Sequence, residues 1–346
     1  MRSLQTLRWL PFSVMLSVAV VDLLAGPSLV FLPLLTLGPA FASVSGGVRR
    51  TAMVGAVALA ICLPLAYHNG LLTDWQNYLT VISILGVTGA SMLAARLRLE
   101  RERELANVRQ VAEAAQRVLL RPVPRRAGDL RVALSYTSAA AEAQIGGDLY
   151  EVVTTPHGVR LLIGDVQGKG LGAVETAAWV LGAFREAAYD EADLGDIGDR
   201  LEVSLARHLG GEQFVTAIVA EVRDGEMELV HFGHPPPLLI GPDGTSRTVD
   251  PPEHGLPLGL ALLDATPAKP HRVPFGEGDR MLFFTDGVIE ARNPDGHFYP
   301  LAERAVLLTR DEPQAALDAL RGDLVAHAGG PLLDDAAMLL LHRQGG

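Results

Sequence analysis

Aspartates placed beside glycine, or at the ends of apolar runs, recur through residues 146–341: GGDLYE around Asp148, IGDVQGKG around Asp165, FFTDGVIE around Asp286, and LLDDAAMLLL around Asp334 and Asp335. A strand end holds a carboxylate rigidly, and an adjacent glycine lets a ligand or metal approach the backbone. Several such carboxylates, with one cysteine in the chain and no dominant histidine cluster, describe an all-oxygen site for a hard divalent cation, Mg²⁺ or Mn²⁺. Two such ions about 3.5–4 Å apart can share a water, lower its pKa and clamp a phosphate for in-line attack. Each aspartate taken singly is equally a turn or cap residue. Their joint occurrence is what points to chemistry.

The elements that must position these groups follow from the pattern of residues 125–346. Strands are expected at 130–137, 148–155, 159–165, 214–222, 226–232, 236–240, 280–285 and 336–342, and helices at 172–189, 195–208 and 312–326. Strands come in consecutive groups and helices are few and long, which predicts an α+β layered fold with antiparallel sheet. A turn near Pro156–Gly158 makes two of these strands antiparallel neighbours and brings Asp148 and Asp165 to the same end. Asp286 ends the run RMLFFT, and Asp334 opens the last strand.

The first third has a different composition. Residues 1–100 hold six basic and three acidic side chains, a balance of +3; because the 346-residue chain carries −11, residues 101–346 carry −14. An acidic domain offers no basic stripe for phosphates, which argues against a nucleic-acid partner. The single cysteine, Cys62, excludes a disulfide within the chain and a cysteine-based zinc site. Mean hydropathy is +0.23, and the apolar excess is concentrated in runs at 9–48, 51–73 and 75–95. Four membrane-spanning helices are expected, at about 9–24, 28–45, 51–67 and 76–95, making residues 1–95 a transmembrane region. Arg2 and Arg8, then Arg49 and Arg50, then Arg96, Arg98, Arg101 and Arg103 fall at alternate ends of these spans. By the positive-inside rule the chain is a multi-pass protein of the plasma membrane with both termini cytoplasmic. The loops are too short for an extracellular sensor domain.

Residues 96–121 connect this region to the remainder, 122–346. The segment 96–120 is rich in helix formers and contains no glycine or proline. Leu105, Val108, Ala112, Ala115 and Leu119 follow 3-4-3-4 spacing. Two readings stay open: a short coiled-coil seam for a homodimer, or an amphipathic helix packing on its own domain. Pro122 and Pro124 end the helix.

GGDLYE, IGDVQGKGLGA, FVTAIVAEV, FGHPPPLL, LPLGL, GDRMLFFTDGVIEARN and DDAAMLLL stand in the order found in the bacterial PPM protein phosphatases. The chain most resembles the SpoIIE-like branch, which contains phosphatases that regulate anti-sigma-factor antagonists. The resemblance covers about residues 118–343. It implies an α-β-β-α sandwich and a two-metal serine/threonine phosphatase that forms no phosphoenzyme. It also implies a phosphorylated protein as substrate, of the anti-sigma-factor-antagonist type. Carried over by motif, Asp165 would bridge two divalent cations, Mn²⁺ or Mg²⁺, and the Val166 carbonyl would add an oxygen. Asp286 and Asp334 would complete one metal, and Asp148 would hold the second directly or through water; Asp335 is the less certain ligand. The chain departs from the usual wording at Glu151, where an aspartate is common, at Lys169, where a histidine is common, and at Phe232, where alanine is usual. Glu151 keeps its negative charge. Lys169 is read as solvated rather than facing the phosphate.

His231 and His234 are spaced H-x-x-H, which on a strand puts them on opposite faces, so a shared metal is not expected. His234, before Pro235, reads as a turn residue with a polar partner. Gly168, Gly170 and Gly172 lack the P-loop spacing and are expected to permit a tight strand-to-helix turn. Arg292 and Arg304 read as surface ion-pair residues. Two other functions are weighed. A membrane-bound nucleotide or dinucleotide cyclase also uses two metals and aspartates, but Leu149 stands where its GGDEF signature requires glutamate. A non-catalytic scaffold would have lost the carboxylates, and they are all present.

Overall fold

The computed structural model describes residues 2–25, 31–70, 75–138, 146–208, 213–260 and 268–345. They form two compact units, Met1–Val108 and Arg109–Gly346.

The first unit contains helices α1 (Arg2–Ala25), α2 (Leu37–Ser45), α3 (Val48–His68) and the first part of α4 (Trp75–Leu119). Val48–His68 and Trp75–Leu119 are long and apolar enough to cross a membrane, and Trp9–Ala25 and Leu32–Ser45 are shorter apolar stretches. The span expected at 28–45 is not one α-helix. Pro33 lies in the first turn of a 3₁₀ segment, Leu32–Thr36, and α2 follows it; residues 28–30 lie outside the described residues. At about 2.0 and 1.5 Å per residue the two pieces reach about 23 Å, short of the roughly 30 Å of a bilayer core. Small residues let these helices approach: a Cβ on Gly55 would meet Thr88 at 2.4 Å, and one on Gly38 would meet Met15 at 2.5 Å. Asp22 is fully buried. It accepts hydrogen bonds from the Phe31 N–H at 3.1 Å and the Asn69 side chain at 2.9 Å, fastening the ends of α1 and α3. The stretch expected as a helical connector, 96–121, is helical as far as Leu119 as part of α4; no glycine or proline after Gly89 interrupts it.

Among the described residues the second unit is built on eleven strands. β1 (Arg126–Ala127), β2 (Leu130–Thr137), β7 (Leu238–Ile240), β8 (Ser246–Thr248), β10 (Arg280–Phe284) and β11 (Ala336–Arg343) form one sheet in the order β1-β2-β11-β10-β7-β8. β3 (Leu149–Thr155), β4 (Gly158–Val166), β5 (Val215–Arg223), β6 (Glu226–Phe232) and β9 (His271–Pro274) form the other, in the order β3-β4-β5-β6-β9. Every paired strand is antiparallel to its neighbours. The turn joining β5 to β6 is Asp224–Gly225, with φ of 51° and 88°, the backbone that two-residue hairpins require and that this residue pair favours.

Alternation along the strands sorts the core into three layers. Leu161 and Ile163 of β4 point between the sheets with Leu339 and Leu341 of β11. Leu162 and Val166 point the other way, to α5 (Leu171–Asp190) and α6 (Leu194–Ala206). Leu340 and Met338 point to α8 (Pro313–Ala328). Both faces of each sheet are therefore covered, giving the α-β-β-α sandwich. This is also why strands such as β11, with its run AAMLLL, read as continuous apolar runs instead of alternating ones. Five short elements carry no such run and escape a sequence reading: β1, β8, β9, the helix α7 (Asp286–Ile289) and the 3₁₀ segment Leu301–Thr309.

The inter-sheet layer also takes in His231, on β6. Its ring lies beside that of His271 on β9, centroids 5.1 Å apart, and its two nitrogens have no hydrogen-bond partner. Burial, then the neighbouring His271 and His254, push its pKa down to about 4. An unfolded chain protonates His231 near the ordinary value of about 6.5. Between those values only the unfolded chain takes up the proton, so stability falls as pH drops through this window, by up to about 1.4 kcal/mol per pH unit. Guanidinium titrations at pH 7 and pH 5 are expected to show a smaller pH difference for His231→Asn than for the wild type. An equal difference would assign the acid sensitivity elsewhere.

Candidate functional site

The register of β3 on β4 pairs Leu149 with Gly164, so Asp148 and Asp165 meet at one end of their sheet. In the other sheet Phe284 pairs with Met338. Asp286, just past β10, and Asp334 and Asp335, just ahead of β11, therefore share one end as well.

Side chains lock these two ends together. The Thr285 hydroxyl, fully buried, donates to Asp148 at 3.0 Å and accepts from the Ala337 N–H at 3.0 Å, spanning the sheets. His234 does the same on the other side. Its Nε2 donates to the Phe284 carbonyl at 3.1 Å, which leaves Nδ1 to accept from the Thr216 hydroxyl at 3.0 Å. Burial first, with His231 adding to it, pushes its pKa down to about 3, so the ring is neutral. His234 is thus a cross-sheet tie; its polar partners were expected, its place in the interior was not.

Glycines allow the close approach. A Cβ on Gly147 would lie 2.4 Å from the Val166 carbonyl oxygen and 2.9 Å from an Asp165 carboxylate oxygen. One on Gly287 would lie 1.8 Å from the Asp335 carbonyl oxygen. After Asp165 the chain turns into α5 through Gly168 and Gly170, with φ of 96° and 86°, a conformation that favours glycine.

The carboxylates feel one another. Burial, then Asp286, Asp334 and Asp335, raise the pKa of Asp165 to about 7. Burial, then Asp165 and Asp335, hold Asp148 well above the usual carboxylate range. Burial, then Glu290 and Asp334, raise Asp286. Lys169 offsets part of this charge. It binds Asp334 at 2.8 Å, and that hydrogen bond raises its own pKa; it is not merely solvated, as its exposed loop suggested. Glu151 is not delivered to this group. It lies on the helix-facing side of β3 and accepts from Nε of Arg185, on α5, at 2.6 Å. Arg304 pairs with Asp323 at 3.4 Å. Arg292 instead lies over the Phe298 ring at 4.2 Å, lining a cleft with Gly287, Leu333 and Asp334.

An oxygen-only donor set whose members repel each other, with the Gly147 cradle admitting a close approach, fits hard divalent cations. Among the described residues no three His, Cys, Asp or Glu side chains converge closely enough to hold one ion by themselves. That suits ions that keep several waters and take one or two carboxylates each. Thr285, Thr216 and Tyr136, whose hydroxyl donates to Asp335 at 2.9 Å, are site residues that sequence reasoning missed. Thr285 had a signal in its place beside Asp286; the other two lie one residue inside the ends of β5 and β2, with no such neighbour.

Comparisons with known proteins agree with this geometry. Among solved structures, the RsbU and RsbW domains of Rv1364c from Mycobacterium tuberculosis are 26% identical, with a TM-score of 0.52, covering 62% of this chain and 60% of that one. The SiaA-PP2C domain of Pseudomonas aeruginosa is 16% identical with a TM-score of 0.60, covering 70% and 98%. The PP2C phosphatase domain of Bacillus subtilis SpoIIE, with a fragment of its regulatory domain, is 15% identical with a TM-score of 0.53, covering 63% and 64%. Protein IcfG of Synechocystis sp. is 23% identical over 131 residues, 36% of this chain and 20% of that protein. The chain thus spans a fifth of that curated relative and three fifths of the mycobacterial chain. Residues 155–344 match the family model described as stage II sporulation protein E, a stretch that includes Asp165, Asp286 and Asp334. By that match and by its layered sheets, the chain belongs to the SpoIIE family and carries the fold of the PP2C-type serine/threonine phosphatases.

Proposed function

We propose that the chain is a membrane-tethered, metal-dependent serine/threonine phosphoprotein phosphatase. The observation that carries this reading is the convergence of Asp148, Asp165, Asp286, Asp334 and Asp335 from two sheets onto mutually repelling positions. Asp148, Asp165, Asp286 and Asp334, with the Val166 carbonyl, would hold two divalent cations, Mn²⁺ or Mg²⁺. Such cations supply Lewis acidity toward a phosphoryl oxygen and a more acidic water. The chain's own part is to hold those oxygens still, through Thr285 and His234, and to set Lys169 beside Asp334 as a further positive charge.

The substrate we assign is a phosphorylated protein of the anti-sigma-factor-antagonist type. The family membership and the likeness to the RsbU and RsbW domains support it. The alternation of arginines along residues 1–103 and the apolar helices support a multi-pass anchor in the plasma membrane with both termini cytoplasmic. Residues 1–95 would form that anchor, 96–121 a helical connector open to homodimer formation, and 122–346 the phosphatase domain. The full-length chain is expected to release phosphate from a phosphoserine peptide with Mn²⁺ or Mg²⁺ and to stop when EDTA is added. A folded chain that releases none with either metal would refute the reading.

A further inference from the structure

The last turn of α4 reaches the acidic site through the Gln116 side chain. The Gln116 amide donates to the Tyr136 hydroxyl at 3.1 Å, and that hydroxyl donates onward to Asp335 at 2.9 Å. The same amide nitrogen lies 3.3 Å from the Gly146 carbonyl oxygen, two residues ahead of Asp148. Both amide hydrogens of Gln116 are thereby used, one toward each acid-bearing chain end. Tyr136 stands on β2 opposite Ala337 of β11, so its hydroxyl meets Asp335 from a neighbouring strand of the same sheet. Gly146 has no room for a larger residue: a Cβ there would lie 1.6 Å from an Asp335 carboxylate oxygen. Asp335 and the Gly146–Asp148 segment are therefore packed against each other, and Gln116 is bonded on both sides of that contact.

Arg185 secures the helix end that carries Gln116. It donates to the Leu119 carbonyl at 2.8 Å while also bonding Glu151. This satisfies one of the carbonyls that the last turn of α4 leaves without an intrahelical partner.

We infer that Gln116 and Tyr136 are positioning residues that orient Asp335, so that the metal affinity of the acidic site depends on where the last turn of α4 lies. The inference rests on the metal-dependent reading above. A helix turns by about 100° per residue, so a slip of α4 by one residue would withdraw Gln116 from both acceptors.

The test is calorimetric titration of the full-length chain with Mn²⁺, which reads binding without turnover. Tyr136→Phe keeps the ring and removes the hydroxyl; it is expected to weaken Mn²⁺ binding about tenfold, the scale of lost outer-shell hydrogen bonds. Gln116→Leu is expected to weaken it as well, and by a smaller factor in the Tyr136→Phe background than in the wild type, because the two side chains act in series. Gln116→Glu keeps the size but cannot donate, and is expected to resemble Gln116→Leu. Unchanged Mn²⁺ affinity in Tyr136→Phe, or equal factors for Gln116→Leu in both backgrounds, would overturn the inference and leave the phosphatase reading standing. So would a lower melting temperature with unchanged affinity, which assigns these residues to packing alone. A wild-type chain that binds no Mn²⁺ would overturn both.

Discussion

Replacing Asp165 with asparagine is expected to cut Mn²⁺-dependent phosphate release at least about a hundredfold, the upper end of what losing a mere outer-shell partner costs. The side chain keeps its volume and loses its charge, at an aspartate that also faces the Gly147 cradle. The loss is not expected to come from unfolding. In EDTA at pH 8 the substituted chain should be at least as stable as the wild type. Burial, Asp286, Asp334 and Asp335 keep Asp165 protonated up to about 7 in the fold, whereas an unfolded chain ionises it near 3.9. Between about 4 and about 7 the folded chain holds the extra proton, so its stability declines as pH rises through that window. Asparagine has no proton to lose and escapes the decline. Thermal scans of both chains in EDTA at pH 5 and pH 8, run beside the phosphate assay, separate these effects. A substituted chain that melts well below the wild type at pH 8 would make Asp165 a structural residue.

Arg160→Met is expected to be the most destabilising single change in the sandwich, by about 3–5 kcal/mol. Arg160 is fully buried on β4 beside its strand partner Glu221. Its Nε donates to Glu221 at 2.7 Å. Its Nη1 donates to the carbonyls of Ala188 at 2.9 Å and Glu191 at 2.6 Å, and its Nη2 to that of Ala192 at 2.9 Å. The guanidinium thus closes the C-terminal end of α5, whose last carbonyls lack helical partners, and compensates a buried carboxylate. Methionine fills the space and strands both. Adding Glu221→Gln should recover part of the loss by removing the unpaired charge, and only part, because the carbonyls stay unbonded. At about 2–4 °C per kcal/mol the single change should lower the melting temperature by about 6–20 °C. A loss below about 1 kcal/mol would mean that Arg223, 3.7 Å from Glu221, takes over the pairing.

What could be read from the sequence was whatever the chain encodes locally. The eight strands and three long helices expected in the second unit correspond to β2–β7, β10, β11, α5, α6 and α8, because a strand buried on both faces leaves an apolar run that turn residues delimit. The common end of Asp148 and Asp165 followed from a short turn between two such runs. The errors lie where partners are distant in sequence. Glu151 was legible as a negative charge, but its use is decided by Arg185, 34 positions away. Lys169 sits in a glycine loop that looks solvated until Asp334, 165 positions on, is brought beside it. Tyr136 and Gln116 lie in an ordinary strand and an ordinary helix, and only the sheet register gives them Asp335. In the first unit, uncharged composition predicted the apolar segments but not the 3₁₀ break at Leu32–Thr36, which follows from a proline whose position within the run, not its presence, matters.

Three of the four outermost strands in the two sheets are poor templates. β1 has two residues, β8 is a fully exposed Ser-Arg-Thr, and β9 carries Arg272 and ends in Pro274. A growing cross-strand stack needs a long, flat row of free amide and carbonyl groups, and brevity, charge and proline each deny it. Copies crowded together at high local density are therefore protected from edge-to-edge polymerisation at these margins, and any ordered self-association has to use side-chain surfaces there.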